Sequence, residues 1–258
     1  MNFPYQISRP IQPEDLAPEE LDQLCDSLYP IHDQIFSGVD KANFRKYVLE
    51  PPTELTRLFL CRNNDGEIVG YFTFQVYRTE IGTNGRKRSP YVFRTEVGLL
   101  PAYRGRSSIN RILFWQVCRF MISKFRPWRG FPEAYYMATP INPIAYYLVC
   151  RDIARIYPRP DQSIPRHILQ ISHQLTRSMG LDQEGSMNSL VRKVGWMVRF
   201  RPGHAARFSK CSNPAIRYYL RENPRYQEGY GLMWLAPATL NNGISSLWKQ
   251  ISQKSFKH

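Results

Sequence analysis

Alternating apolar and polar positions predict several β-strands in the first half of the chain. Residues 55–61 and 68–77 are rich in β-branched and aromatic side chains, and they flank an Asn-Asn-Asp-Gly turn at residues 63–66. Because Asp-Gly tolerates positive φ, this pattern predicts an antiparallel hairpin. A third strand is predicted at 91–100. Later strands are predicted at 134–138, 153–157, 196–200 and 230–235.

Apolar residues at helical spacing predict helices between and after these strands. The predicted helices cover residues 18–28, 41–49, 108–124, 144–151, 165–179 and 214–221. Residues 1–13 are predicted as an arm, 83–88 as a basic turn and 181–188 as a loop. No repeat, low-complexity tract or Gly/Ser linker interrupts the remainder. The pattern therefore predicts one α/β (α+β) domain over residues 14–258, enlarged in its C-terminal part at 160–258.

Composition narrows the class of protein. Hydrophobic residues make up 43% of the 258 residues and aromatic residues 14%, which is enough to fill a core and excludes a disordered chain. There are 35 Lys+Arg and 21 Asp+Glu, so the formal net charge is +14. Such a surface attracts nucleic acid, anionic lipid, an acidic carrier protein or a phosphorylated small molecule.

Cysteine usage and the N-terminus indicate a compartment. The five cysteines are widely spaced, without a Cys-x-x-Cys pair, which favours a reduced intracellular protein. The first residues show no basic region followed by an apolar run, and no segment reaches 18 uncharged apolar residues. We expect a cytoplasmic protein without a membrane span, although a signal for export to another cell would escape this reasoning.

A basic glycine turn joins the predicted strand at 91–100 to the helix that follows. It contains Arg104, Gly105, Arg106, Ser107 and Ser108. Backbone N–H groups at the start of a helix, the helix dipole and flanking arginines together make an anion site, and glycine allows close approach of a ligand. The alternative is a serine-capped strand-to-helix turn with solvated arginines.

The sequence around this turn resembles a known family. The run Leu99-Leu-Pro-Ala-Tyr-Arg-Gly-Arg-Ser-Ser-Ile-Asn-Arg-Ile-Leu113 is similar to the coenzyme A loop of the GNAT superfamily of N-acyltransferases. The run Tyr135-Tyr-Met-Ala-Thr-Pro-Ile-Asn-Pro-Ile-Ala-Tyr-Tyr-Leu148 is similar to the strand and helix start that follow in that family. The resemblance covers roughly residues 55–150, the predicted cofactor-binding core. It implies a mixed, mostly antiparallel central sheet flanked by helices.

The resemblance also implies a cofactor and its contacts. The expected cofactor is acetyl-CoA or a longer acyl-CoA, with its pyrophosphate on the backbone of the glycine turn. The residues implied to bind it are Leu99, Leu100, Arg104, Gly105, Arg106, Ser107, Ser108, Ile109 and Asn142. Asn142 alternatively only caps its helix. Two departures stand out: Ser107, Ser108 and Asn110 replace glycines of the usual turn, and Val149 replaces a tyrosine.

Candidate catalytic residues follow from strand periodicity and from the resemblance. Period-two alternation puts Glu96 on the same strand face as Gly98, which is predicted to mark a bulge. The resemblance implies that Glu96 acts as general base and that Tyr147, or the adjacent Tyr146, acts as general acid. The alternatives are an ion pair of Glu96 with Arg94 and tyrosines that only pack in the core.

Other residue types give weaker signals. The five histidines are dispersed without the order of a catalytic triad, and His167 and His173 are six apart, so we expect no metal site. Aromatic residues beside arginines at 218–234 are compatible with stacking on nucleic-acid bases, but packing explains them as well.

Three functions therefore remain open at this stage. The leading one is a GNAT-like acyltransferase that moves an acetyl or longer acyl group from coenzyme A to an amine of an unidentified acceptor. A variant resembles N-acyl amino acid synthases, which take the acyl group from an acidic acyl carrier protein that a basic surface would attract. The third is an inactive GNAT-like fold that binds nucleic acid or another anionic partner.

Overall fold

A computed structural model describes residues 4–83, 86–104, 109–181, 189–200 and 203–255. The chain divides into two compact units. The first consists of Met1–Arg78 and Tyr91–Pro132, and the second of Thr79–Pro90 and Glu133–His258. The division into one domain over residues 14–258 stays a prediction from the sequence.

The elements follow one another in mixed order. The strands are β1 (Gln6–Ile7), β2 (Phe36–Ser37), β3 (Leu55–Arg62), β4 (Ile68–Arg78), β5 (Ile81–Thr83), β6 (Arg86–Arg88), β7 (Tyr91–Arg94), β8 (Val97–Leu99), β9 (Ala134–Ala138), β10 (Val191–Lys193), β11 (Met197–Val198), β12 (Tyr230–Leu232) and β13 (Trp234–Pro237). The α-helices are α1 (Pro18–Ile35), α2 (Lys41–Phe44), α3 (Ile109–Lys124), α4 (Pro143–Asp152), α5 (Arg166–Ser178), α6 (His204–Ser209), α7 (Pro214–Glu222) and α8 (Leu240–Ser255). A π-helical turn, Arg45–Leu49, continues α2.

An antiparallel sheet is the framework of the first unit. Its order is β1, β3, β4, and both β7 and β8 pair with the far edge of β4. The predicted hairpin forms between β3 and β4, where Gly66 takes a φ of 82° in the turn. The described part of the segment predicted as an arm contains β1, which hydrogen-bonds to the outer edge of β3.

The two faces of this sheet differ in polarity. On one face Phe74 stacks on Phe93, and Phe120 of α3 packs edge-on against Phe93 with ring centroids 5.4 Å apart. On the opposite face the buried Gln75 donates from Nε2 to the carbonyl of Tyr47, and α1 covers β4 and β8. Helices thus lie on both faces, and the prediction of a mixed, mostly antiparallel sheet flanked by helices is confirmed.

The second unit is built around shorter antiparallel pairs. They are β9 with β13, β10 with β12, and β5 with β6. Helix α4 packs against α7 and α8, and α5 packs against β5 and β13. The segment predicted as a basic turn, residues 83–88, overlaps the end of β5 and contains β6, and these two strands pair antiparallel.

Several predicted boundaries are wrong for physical reasons. Helix α1 passes through Pro30 and ends at Ile35, because burial of its last turns against the sheet outweighs one lost hydrogen bond. The strand predicted at 153–157 is reduced to one bridge between Tyr157 and Leu235, since side chains of α8 bind the backbone of residues 154 and 155. The strand predicted at 196–200 is reduced to β11, and α6 and α8 were not predicted.

Candidate active site

Glu96 lies at the junction of β7 and β8, where the ladder with β4 is locally altered. Its carbonyl accepts from the backbone N–H of Thr73 at 2.9 Å, but its own N–H donates to the Thr73 hydroxyl at 3.0 Å. The Thr73 carbonyl instead accepts from the hydroxyl of Thr95. The hydroxyls of Thr73 and Thr95 thus replace the backbone hydrogen bond that would run from the Glu96 N–H to the Thr73 carbonyl. The strand predicted at 91–100 is therefore divided here into β7 and β8.

The carboxylate of Glu96 is mostly buried beside one arginine. Its side chain is 25% exposed, and Oε1 lies 3.4 Å from a guanidinium nitrogen of Arg94. Burial raises the pKa of Glu96, and Arg94 opposes this by favouring the charged form. The Arg94 guanidinium also lies 5.8 Å from the ring centre of Tyr77. The ion pair between Glu96 and Arg94, which was the alternative interpretation, therefore exists. It does not cancel the effect of burial, and the pKa of Glu96 stays raised.

Tyr71, directly opposite Gly98, fills the neighbouring part of the same sheet face. Cβ of an alanine at position 98 would lie 2.6 Å from Cε1 of Tyr71, so only glycine accommodates the ring. Gln75 pairs with Arg94, and Tyr71 pairs with Gly98. The same number of residues separates these pairs on both sides of the ladder, so no extra residue is inserted between them. The bulge predicted at Gly98 is therefore absent from the pairing with β4.

His32 holds this tyrosine from α1. Its Nδ1 and the hydroxyl of Tyr71 share a hydrogen bond of 2.6 Å, and both side chains are buried. The ring of Phe44 packs against both of them. Burial lowers the pKa of His32 to about 4. Burial also raises the pKa of Tyr71, and the negative charge of Glu96 raises it further. Sequence reasoning gave His32 no role near Glu96, because nothing in the local pattern reveals a partner 39 residues away.

The lowered pKa of His32 predicts a loss of stability in mild acid. The unfolded chain binds a proton near the usual value of 6.5, whereas folded His32 does so only near 4. The free energy of unfolding should therefore fall by up to about 3 kcal/mol between these pH values and be unaffected above them. Denaturant titrations from pH 7.5 to 4 test this. His32→Gln should flatten the profile, whereas His204→Gln, on α6, should leave it unchanged. If the free energy of unfolding fell equally with decreasing pH in all three proteins, His32 would not be the group responsible.

The far edge of β8 carries backbone groups that do not hydrogen-bond to β4. Since Glu96 and Leu100 hydrogen-bond to β4, alternation directs the N–H and C=O groups of Val97 and Leu99 away from it. Among the described residues β8 pairs with no strand other than β4. Val97 is 39% exposed, and the carbonyl of Leu99 accepts from Nε of Arg104 at 2.8 Å. This edge leads into the predicted cofactor turn.

The predicted cofactor-binding residues are only partly described. Leu99 is buried, Leu100 is partly exposed and Arg104 is exposed. Ile109 is buried at the first described position of α3. Gly105, Arg106, Ser107 and Ser108 lie outside the described residues. The first unit thus brings Glu96, Leu99, Leu100, Arg104 and Ile109 onto one strand and the start of the helix after it.

Asn142, Tyr146 and Tyr147 belong to the second unit. Asn142 caps α4, because its Oδ1 accepts from the N–H of Ile144 at 2.8 Å. Tyr146 is fully buried, and its hydroxyl donates to the carbonyl of Pro158 at 2.9 Å. Burial raises its pKa far above the usual value. Tyr147 is partly exposed, so it is the more accessible of the two candidate acids.

The second unit also buries one arginine that sequence reasoning missed. Arg192 is fully buried, and no described carboxylate lies within ion-pair distance of it. Its guanidinium donates to the carbonyls of Ser189 and Val191 and lies 3.0 Å from Nδ1 of His173. Burial lowers its pKa to about 10. The guanidinium is therefore bound by two backbone carbonyls of its own segment and by His173, and the contact with His173 joins β10 to α5.

Aromatic residues of the second unit are used mainly in packing. Tyr219 is fully buried and donates its hydroxyl to the carbonyl of Pro140, and Tyr226 and Trp234 are buried as well. Buried rings cannot stack on bases, so these residues give no support to nucleic-acid binding. Among the described residues, no three His, Cys, Asp or Glu side chains are grouped closely enough to hold a metal ion. No helix in the described ranges is both long and apolar enough to cross a membrane.

Comparisons with known proteins give weak likenesses. Neither a protein-family model nor a curated protein matches the sequence. Among solved structures, the chain is similar to the NAA60 protein of Arabidopsis thaliana in complex with acetyl-CoA, with 20% identity, a TM-score of 0.36, and coverage of 58% of this chain and 89% of that one. It is similar to a putative acyl-CoA N-acyltransferase of Klebsiella pneumoniae at 14% identity and a TM-score of 0.31, covering 63% and 90%. It is also similar to the spermidine N-acetyltransferase SpeG of Vibrio cholerae at 11% identity and a TM-score of 0.33, covering 91% and 94%.

Proposed function

We propose that this protein is a divergent GNAT-type acyltransferase that transfers an acyl group from a coenzyme A thioester to an amine. The observation that carries the proposal is the position of Glu96. A largely buried carboxylate lies directly before β8, the strand whose exposed edge leads into the basic glycine turn and α3. The residues of this chain therefore place a candidate base and a candidate anion site on one continuous segment.

Glu96 supplies the base in this proposal. An amine is protonated at neutral pH and must lose a proton before it attacks a carbonyl carbon. A carboxylate whose pKa is raised by burial is a better base than an exposed one, because its pKa lies closer to neutrality. The remaining exposure of Glu96 leaves room for a water molecule or an amine to reach it.

The exposed edge of β8 positions the donor in this proposal. When bound, the coenzyme supplies a thioester whose sulfur is the leaving group. The N–H and C=O groups of Val97 and the N–H of Leu99 point away from β4 and are suited to hydrogen-bond amides of an extended ligand, whereas the Leu99 carbonyl already accepts from Arg104. Arg104 lies at the end of this edge and adds positive charge near the turn. In this proposal, donor placement uses the edge of β8 and proton removal uses the residue directly before that strand.

Tyr147 is the proposed acid that protonates the leaving thiolate. Tyr146 is less suited because its hydroxyl already donates to the carbonyl of Pro158 inside the core. The ring of Tyr147 instead lies on the partly exposed side of α4, with the guanidinium of Arg151 6.0 Å from its centre.

Removal of the basic turn should weaken coenzyme binding. Arg104→Ala with Arg106→Ala is expected to raise the dissociation constant of coenzyme A at least about 10-fold, because two charge-assisted contacts to phosphate are lost. Arg126→Ala with Arg129→Ala removes the same charge from an exposed loop of the first unit and serves as control. Isothermal titration measures both variants. Equal affinity in the two would contradict the phosphate assignment.

Thermal shift separates the alternative functions. Only a ligand that binds the folded form raises the melting temperature. We expect acetyl-CoA to stabilise the protein, and an acyl carrier protein or a nucleic-acid oligomer at equal concentration to have less effect. A shift with the oligomer alone would instead favour an inactive binding fold. A shift with the carrier alone would favour a synthase of the carrier-dependent type.

A further inference from the structure

Helix α8, in the second unit, exposes an apolar stripe. The stripe consists of Leu240, Ile244, Leu247, Trp248 and Ile251, whose exposures run from 40% for Leu247 to 69% for Trp248. Their spacing of four, three, one and three residues places them along one side of the helix. Contiguous exposed apolar surface of this kind marks an interaction site more often than isolated exposed residues do.

Polar side chains attach the opposite side of α8 to the protein. Asn242 Oδ1 accepts from the N–H of Arg155, and its Nδ2 donates to the carbonyls of Arg155 and Pro237. Ser246 Oγ accepts from the N–H of Ala154 and donates to the carbonyl of Asn242. Both side chains are buried. A helix that docks with its polar side has reversed the usual amphipathic arrangement.

The next turn of α8 binds the C-terminal end of α4. Lys249 donates to the carbonyls of Cys150 at 2.8 Å and Ile153 at 3.1 Å, and Gln250 donates to the carbonyl of Asp152. Last-turn carbonyls of a helix have no partner within the helix, and a cation there is also favoured by the helix dipole. These directional bonds fix the rotation of α8, so the apolar stripe is held outward.

The stripe has the heptad pattern of a two-stranded coiled coil. With Ile244 and Ile251 at the a positions, Leu240 and Leu247 occupy the d positions. Isoleucine at a with leucine at d favours two strands. The docked residues Asn242 and Ser246 occupy f and c, on the side away from such a seam. The geometry of attachment and the heptad assignment therefore agree.

We propose that α8 is the homodimer interface of this protein and pairs along its apolar stripe with α8 of a second copy. The e and g positions beside the seam are Asn241, Gly243, Trp248 and Gln250, none of them charged, so the seam between Leu240 and Ile251 brings no like charges together, and the next d position, Lys254, lies beyond its end. Five such side chains offer on the order of 500 Å² per copy, so a pair would bury about 1,000 Å², the lower size for a specific interface.

A bilayer is the less favoured occupant of this surface. Helices that lie in an anionic bilayer surface carry lysine or arginine along the borders of the apolar face. Here the border residues include Asn241, Gly243, Ser245 and Ser252, which are uncharged, and Lys249 is engaged with the carbonyls of α4. Between residues 240 and 252 the borders of the stripe thus lack the row of basic residues that lipid binding uses, and Lys254 follows only at its end.

Sedimentation and light scattering of the full chain test the proposal. The wild type should have the mass of two chains at micromolar concentration, and Ile244→Glu with Leu247→Glu should raise the dimer dissociation constant by at least about 100-fold, because two carboxylates would be buried in the seam. Ile122→Glu, at a residue of α3 that is 67% exposed, is the matched control and should remain dimeric.

Three outcomes would overturn this inference. One is a wild type with the mass of one chain up to about 100 µM, a concentration at which an interface of this size should form. Another is a dimer that the two seam substitutions leave intact while circular dichroism shows an unchanged fold. The third is co-sedimentation of a monomeric wild type with phosphatidylglycerol vesicles that the seam substitutions abolish, which would assign the stripe to lipid.

Discussion

Replacing Glu96 with glutamine is expected to lower kcat by about 100-fold while the dissociation constant of acetyl-CoA stays within about twofold of the wild type. Glutamine keeps the size of the side chain but cannot accept a proton at neutral pH. Because the carboxylate lies on the sheet face of the first unit, and the proposed coenzyme contacts come from the β8 edge and the turn, the two readouts should separate. Steady-state kinetics with calorimetric binding measures both.

The pH dependence of this variant strengthens the test. In the wild type, kcat/KM should rise with pH through the raised pKa of Glu96, because only the carboxylate form removes the proton. In Glu96→Gln, kcat/KM should no longer show this rise with pH. Glu19→Gln changes an exposed carboxylate in the first turn of α1 and should retain it. An unaltered rate in Glu96→Gln would exclude Glu96 as the base.

Replacing Gly98 with alanine is expected to cost about 1–3 kcal/mol of the free energy of unfolding, as for an overpacked core. The added Cβ would lie 2.6 Å from Tyr71 Cε1 and 2.8 Å from its Cζ. The ring has little freedom to retreat, because it is fully buried and bound to His32. Urea denaturation measures the change.

A matched alanine substitution controls for the loss of backbone flexibility. At Gly82 no atom of the described residues lies within 4 Å of the position that a Cβ would occupy, so Gly82→Ala should be neutral or slightly stabilising. A double-mutant cycle of Gly98→Ala with Tyr71→Ala should show coupling, since removal of the ring relieves the clash. Equal stabilities of Gly98→Ala and Gly82→Ala would show that the sheet relaxes without cost.

Local sequence patterns predicted much of the first unit correctly. The β3–β4 hairpin follows from two β-rich runs and an Asp-Gly turn, and α3 follows from helical spacing after the basic turn. Period two was enough to put Glu96 and Gly98 on one face. The failures have a common cause. The division between β7 and β8 depends on hydroxyl groups of Thr73 and Thr95 that compete with the ladder, and such competition has no signature in hydrophobic alternation.

The sequence by itself determined the mixed α/β class, the hairpin and the shared sheet face of Glu96 and Gly98, because periodicity and turn chemistry act between residues close in the chain. Only the tertiary structure decided which distant groups meet. The contact of His32 with Tyr71 spans 39 residues, and the contacts that turn α8 outward span 87 to 99. Such pairings depend on how buried polar groups find partners during packing, and the order of residues along the chain does not record that choice.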